Sequence, residues 1–202
     1  MELVDKTALY KIGYGLYAIT TNDGKKDNAF ICNTVVQVAD NPLKITVAIN
    51  KQNYSHETIK QTGKMNVNVL SIDCPFSLFE QYGFKSGRDT NKLEGDYQKT
   101  TNGLVVLPNY VNAVISLTVD SYVDLASHGL FICSVTESKV LTQKETLTYA
   151  FYHSNVKPKP QATNVKGYSC KICGYFHEGE TLPADFVCPW CKHPASDFEP
   201  VK

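Results

Sequence analysis

Two cysteine pairs near the C-terminus constrain this chain more than any other feature. Cys170 and Cys173 form one C-x-x-C pair, and Cys188 and Cys191 form the second. Two such pairs bring four thiolates to the corners of a tetrahedron, the arrangement iron or zinc takes with sulfur. The stretch from Gly167 onward is too short to bury a substantial core, so a metal has to supply much of its stability. Gly174 follows Cys173, where a tight turn has to bend the backbone around an ion, and Pro189 stiffens the second pair. The spacing alone leaves iron and zinc both open.

The remaining chain is long enough for an ordinary globular domain. Of 202 residues, 43% are hydrophobic and 20% charged, the balance of a folded, water-exposed protein. Twenty basic residues offset twenty acidic ones, which argues against a partner held by phosphate neutralisation, such as nucleic acid. No apolar run is long enough to span a membrane, and the start, Met1 to Lys6, has neither a secretory nor a transit pattern. Seven cysteines, an odd number, suit free thiols plus a thiolate site in a reducing cytoplasm.

The segment Ser154 to Asn164 carries two prolines and polar residues without periodicity, and reads as a semi-rigid linker. It divides the chain into residues 1–154, a linker at 155–166, and a metal module at 167–202. The first part is mainly β. Strands are expected over Leu9–Thr20, Ala29–Val38, Leu43–Ile49, Lys64–Leu70, Val114–Val123, Leu130–Val140 and Leu147–Tyr152. Short helices are expected from an N-cap at Ser55 to Gln61, and from Asp73, with Pro75 in its first turn, to Tyr82-Gly83. Many strands with few helices suggest a closed barrel, which leaves no exposed sheet edge.

Three segments of the first part carry anion-binding chemistry. They are Phe30 to Val35, Ala48 to Lys51 with Asn53 to His56 behind it, and Phe84 to Lys92. The last holds Ser86, Gly87, Lys85, Lys92 and the chain's only arginine, Arg88. Glycine lets backbone N–H groups approach a phosphate, and a guanidinium grips it with two prongs. A helix start near Ser55 adds a positive end. Each signal also has a bland reading, as solvated lysines or turn asparagines.

Taken together, these motifs resemble two known families. Tyr168 to Tyr175 and Cys188-Pro189-Trp190-Cys191 resemble a rubredoxin, which favours iron, with zinc as a possible substitute. The 14 residues between Cys173 and Cys188 are fewer than in ordinary rubredoxins and similar to the compact module that ends rubrerythrins. Lys192 stands where a glycine usually follows the last cysteine. The run Tyr14-Gly15-Leu16-Tyr17, Asn33-Thr34-Val35, Ile49-Asn50-Lys51, Ser86-Gly87-Arg88-Asp89 and His128-Gly129-Leu130-Phe131 resembles the flavin reductase-like family. The resemblance implies a split β-barrel flavin-binding domain followed by a small rubredoxin-like metal domain, as in high-molecular-weight rubredoxins of anaerobes.

That likeness implies FMN, NAD(P)H as electron donor, and a homodimer with the flavin near the subunit interface. By resemblance, Asn33, Thr34 and Val35 line the isoalloxazine edge. Ala48, Ile49, Asn50 and Lys51 hold the flavin and its ribityl chain, and Ser55, Ser86, Gly87, Arg88 and Lys92 take the phosphate. His128 occupies a position where related reductases place a histidine near the nicotinamide, although His128-Gly129 also suits a turn. Cys170, Cys173, Cys188 and Cys191 hold the iron. The implied function is an oxidoreductase passing electrons from NAD(P)H through FMN to iron, and on to an acceptor such as a diiron flavoprotein. The alternatives are a reductase that releases reduced flavin and carries a structural zinc-ribbon docking module, and a non-catalytic flavin- or metal-binding protein.

Overall fold

The computed structural model describes residues 4–158, 166–172, 174–190 and 193–201. Strands β1 (Tyr17–Asn22), β2 (Asp27–Cys32), β3 (Val35–Asp40), β4 (Leu43–Asn50), β5 (Lys64–Leu70), β6 (Val111–Leu125) and β7 (His128–Val140) form one antiparallel sheet. Its order is β2-β1-β5-β6-β7-β4-β3. The two edges, β2 and β3, are consecutive in the chain and diverge from Asn33-Thr34. The expected single strand Ala29–Val38 is therefore two, broken where the chain passes from one edge to the other. The barrel is split at this seam rather than closed through a β2–β3 ladder.

Curling the sheet buries Ile19, Phe30, Val47, Ile49, Met65, Val67, Leu117 and Phe131 in one interior cluster. Helix α1 (Tyr54–Thr62) plugs it with Ile59. The helix cap is Asn53 rather than the expected Ser55. The Asn53 side chain accepts from the Ser55 N–H at 2.9 Å, while Ser55 itself is buried. Gly63 ends the helix in a left-handed conformation, where a side chain would be strained.

A second cluster joins Leu16, Leu70, Phe79, Tyr82, Leu107 and Leu147 beneath a short helix, α2 (Phe76–Phe79). Pro75 precedes α2 instead of lying within it, and the chain continues as a π turn over Glu80–Phe84. Two further expectations fail at their ends. Residues 9–16 are not strand, because the chain opens with a 3₁₀ turn over Lys6–Lys11. Leu147 is extended and bonds to Leu16 and Leu70, but the chain becomes helical over α3 (Tyr149–Phe151) and then a π turn over Tyr152–Val156. Thr148 caps that helix by accepting from Phe151 N–H, a signal that outweighs the β-prone aromatics after it.

The C-terminal module is a three-stranded sheet ordered β10-β8-β9, from β8 (Gly167–Cys170), β9 (Phe176–Glu178) and β10 (Phe198–Val201). The linker's central part, residues 159–165, lies outside the described residues. No described helix is long and apolar enough to cross a membrane.

The two asparagines of β5 are as buried as its apolar residues. Met65 and Val67 face one side, while Asn66 and Asn68 are fully buried on the other. The Asn68 amide donates to Ala18 O at 3.1 Å, and its oxygen accepts from Leu107 N–H at 2.9 Å. Asn66 similarly holds Thr100 and Leu104. These amides tie the irregular segment after Leu93 to the sheet. Asn68→Leu strands the buried Leu107 N–H and is expected to cost about 2–3 kcal/mol in urea unfolding. A loss under about 0.5 kcal/mol would show that the segment is held by packing alone.

Candidate cofactor and metal sites

The first two predicted segments meet at the barrel seam. Thr34 Oγ1 donates to Ala48 O at 2.7 Å, and Ala48 N–H donates to Thr34 O at 3.1 Å. Val35 pairs with Val47 in register. Asn33, Thr34 and Val35 thus lie beside Ala48. The Ile49 side chain points into the core, 1% exposed, so only its backbone is available here. Lys51 turns away, and its ammonium pairs with the Asp124 carboxylate.

His128 arrives from 80 residues further along the chain. It opens β7, and the β4–β7 register sets it directly opposite Asn50. Its Nδ1 lies 2.9 Å from Ser127 Oγ. The turn that the sequence allowed at His128-Gly129 is made instead by Ala126-Ser127. Behind His128, a side chain at Gly129 would strike Tyr122 and His56. His56 is buried, with Nε2 3.3 Å from Tyr122 OH. Burial, the largest influence, holds its pKa below the usual imidazole value.

The third segment closes over the start of α1. The Asn28 amide donates to Ser55 Oγ at 2.7 Å, and Gly87 packs so tightly on Asn28 that a side chain there would collide with it. Lys26 Nζ donates to Gly87 O. Asn28 thereby joins Ser55 to the Ser86–Arg88 loop, a link that sequence reasoning missed because nothing in its neighbourhood is periodic or motif-like. Arg88 is exposed, with its guanidinium 5.9 Å from the centre of the Tyr54 ring. Tyr54 OH donates to Asp23 at 2.6 Å, and that bond is the main reason the Asp23 carboxyl falls to about 2.

Between these elements lies a pocket of about 210 Å³, whose walls include Asn50, Lys85, Ser86, Lys92, Phe84 and Trp190. This is smaller than the roughly 300 Å³ of ordinary small-molecule sites, so it suits one end of an elongated ligand. Its donor set of amides, hydroxyl and ammonium groups beside a helix start fits the phosphate and ribityl end of FMN. From Asn50 the same strand runs on to the 33–35 seam. Ser55 and Arg88 adjoin the pocket through Asn28 and Tyr54 rather than lining it. A larger cavity of about 680 Å³ sits between Tyr14, Gly15, Tyr149 and Ile172. Its mostly aromatic and aliphatic walls suit a phosphate less well.

Lys92 differs from the surface lysine that its sequence suggests. Its side chain is buried, and Nζ donates to Ala29 O and Tyr82 O, both at 2.9 Å. Desolvation lowers its pKa to about 8. The three scattered cysteines, Cys32, Cys74 and Cys133, are all buried. Burial raises each thiol pKa, to about 12 for Cys74 and Cys133, so they remain protonated. Cys32 Sγ rests 3.4 Å from Thr34 Oγ1.

In the metal module, Cys170 and Cys188 are 1% and 0% exposed. Gly174 N–H donates to Cys170 O at 2.8 Å, with Gly174 at φ +81°, the tight turn a metal knuckle needs. Cys188 N–H donates to His193 O at 2.8 Å. Cys173, Cys191 and Lys192 lie outside the described residues. Two cysteines buried in one cluster, each followed in the chain by a second cysteine three residues on, suit a tetrathiolate ion. Tyr168, Tyr175, Phe186, Trp190 and Phe198 pack around them, and Phe84 from the first domain joins this cluster. Phe176 covers Gly167 on the neighbouring strand.

The buried ammonium has a pH signature. In the unfolded chain Lys92 keeps its proton up to about 10.4, whereas the folded pKa is about 8. Between these values the unfolded state binds more protons, so Lys92 contributes stability that rises with pH. Against Lys92→Met, the wild type should gain up to about 1.4 kcal/mol per pH unit in this window. Parallel stability curves from pH 8 to 10 would mean that the ammonium is hydrated.

Two known families match successive parts of the chain. Residues 9–158 match the flavin reductase like domain family, and residues 168–199 match the rubrerythrin, rubredoxin-like domain. The chain is 34% identical over 229 aligned positions to the high molecular weight rubredoxin of Moorella thermoacetica, covering 98% of this chain and all of that one. It is 34% identical over 161 positions to a ferric-chelate reductase (NAD(P)H) of Archaeoglobus fulgidus, covering 79% of this chain and 95% of the relative. The NADH:FAD oxidoreductase SgcE6 of Streptomyces globisporus shares the fold, with a TM-score of 0.65 at 14% identity over 73% of this chain and 92% of that one. With its flavin reductase-like domain followed by a rubredoxin-like one, the chain belongs to the family of high-molecular-weight rubredoxins.

Proposed function

We propose that the protein is an electron relay, taking electrons from NAD(P)H through FMN to a tetrathiolate iron and on to an external acceptor such as a diiron flavoprotein. One observation carries this reading. Trp190, between two of the metal-site cysteines, forms a wall of the anion-lined pocket, so the two cofactor sites adjoin. When bound, FMN supplies the conversion of a two-electron donation into single electrons, and iron carries them one at a time. The chain's own residues bind, orient and exclude water. Ser86, Gly87 and Arg88, with Ser55 behind them, hold the phosphate end. Lys92 adds positive field while its protons serve two carbonyls. Ala48 to Lys51 present backbone and Asn50 to the ribityl chain, and Asn33 to Val35 border the ring. His128, opposite Asn50, orients the nicotinamide.

The thiolate site carries Cys170, Cys173, Cys188 and Cys191, and four sulfurs leave an ion no open position for substrate. Acidic side chains Glu178, Glu180, Asp185, Asp197 and Glu199 on this module steer a basic partner toward it. A reducing cytoplasm suits the protonated buried thiols. Exposed Val36, Val38 and Leu43 on the β3–β4 hairpin supply an apolar face for the homodimer. Sedimentation is expected to give a dimer and, for the Val36→Asp/Val38→Asp double variant, a monomer; a wild-type monomer would end that assignment.

Anaerobic stopped-flow with NADH and with NADPH tests the relay. Flavin bands should bleach first and ferric–thiolate bands follow. Bleached flavin beside permanently ferric iron would break the relay. Zinc in the native protein would favour the reading of a reductase that releases flavin. Arg88→Ala removes a charge-assisted grip and should weaken FMN binding about 10- to 100-fold. Unchanged affinity, read by fluorescence titration, would remove Arg88 from the site.

A further inference from the structure

Among the described residues, the metal module makes its aromatic contacts with the first domain through Trp190. The Trp190 indole lies stacked on Phe84, with ring centres 5.5 Å apart and planes at 15°. Phe76 flanks it at 6.4 Å, and Tyr175 of the module backs it edge-on at 5.3 Å. Nearby, Lys157 Nζ donates to Lys171 O at 2.7 Å, tying the module's first knuckle to the end of the first domain. Phe84 is the residue from which the Ser86–Arg88 loop departs. The indole therefore forms one wall of the pocket whose other walls include Asn50, Lys85, Ser86 and Lys92. An aromatic wall joined to polar and cationic groups suits an elongated anionic ligand.

We infer that the metal module is the lid of the flavin pocket in its own chain, and that Trp190 is the positioning residue that seats it. This rests on the reading that the pocket takes the phosphate end of FMN. The stack on Phe84 covers the pocket, so flavin leaves only after the indole lifts. The chain then retains its flavin instead of exchanging it with solution. The same contact holds Cys188, two residues before Trp190, next to the pocket.

The test uses the full chain loaded with FMN and iron, and follows the fluorescence of released FMN after dilution. Trp190→Ala should release FMN at least about tenfold faster, while Trp190→Phe, which keeps a stacking ring, should stay within about threefold of wild type. Ferric–thiolate absorption confirms that each variant keeps its metal site. An unchanged release rate in Trp190→Ala with intact ferric bands overturns the lid. A wild type that binds no FMN overturns the cofactor reading instead. If Trp190→Ala loses its iron, the wild type decides. Trp190 is the chain's only tryptophan, so its emission reports on this contact alone. In the FMN-loaded chain it should resist acrylamide quenching at least about fivefold better than free tryptophan amide. Equal quenching overturns the lid.

Discussion

The Lys92 ammonium donates to Ala29 O on β2 and to Tyr82 O in the π turn, from within the protein. Taking an ammonium out of water costs several kcal/mol. Two hydrogen bonds from a charged donor, at about 1.5–3 kcal/mol each, offset much of that. What they add is position. The loop from Phe84 to Lys92 is fixed at its far end by this ammonium and at its near end by the turn that the ammonium also holds. Ser86, Gly87 and Arg88 lie between two anchored points. Without the anchor, the pocket's cationic side and the platform under Trp190 would both be free to drift.

The same economy governs the metal module. Its strands are three or four residues long, and its aromatic cluster takes in Phe84 from the other domain. A stretch of this size cannot exclude water by itself. Its cluster is completed by a borrowed ring, Phe84, at its edge. Elsewhere, Cys74 and Cys133 are packed where burial disfavours a thiolate.

Much of this was legible in the residues. The strands between Leu43 and Val140 and the helix after Asn53 follow from alternation and capping. The elements that were misread have specific physical causes. Ala29–Val38 reads as one β-prone run because Asn33-Thr34 is a weak breaker, and only the sheet's edges reveal the seam. Aromatics around Tyr149 suggest a strand, yet a capping threonine and burial against Phe79 favour a helical turn. For the site, the groups of residues could be named but not joined. That Thr34 bonds Ala48, that His128 lies opposite Asn50, or that Asn28 links Ser55 to Gly87 depends on register and folding back. Lys92 looks like a surface charge in the sequence because burial of a lysine leaves no local trace.

Gly129 packs against Tyr122 and His56, with no room for a side chain. His128 therefore stands beside a floor built by α1 and β6, and β6 also supplies Leu125 as its cross-strand partner. Over evolutionary time positions 128 and 129 are then under different rules. The residue at 128 is half-buried at the strand end and meets no such wall. The residue at 129 can change only together with His56 or Tyr122. In divergent relatives, these three positions should vary as a set, while their neighbour varies alone.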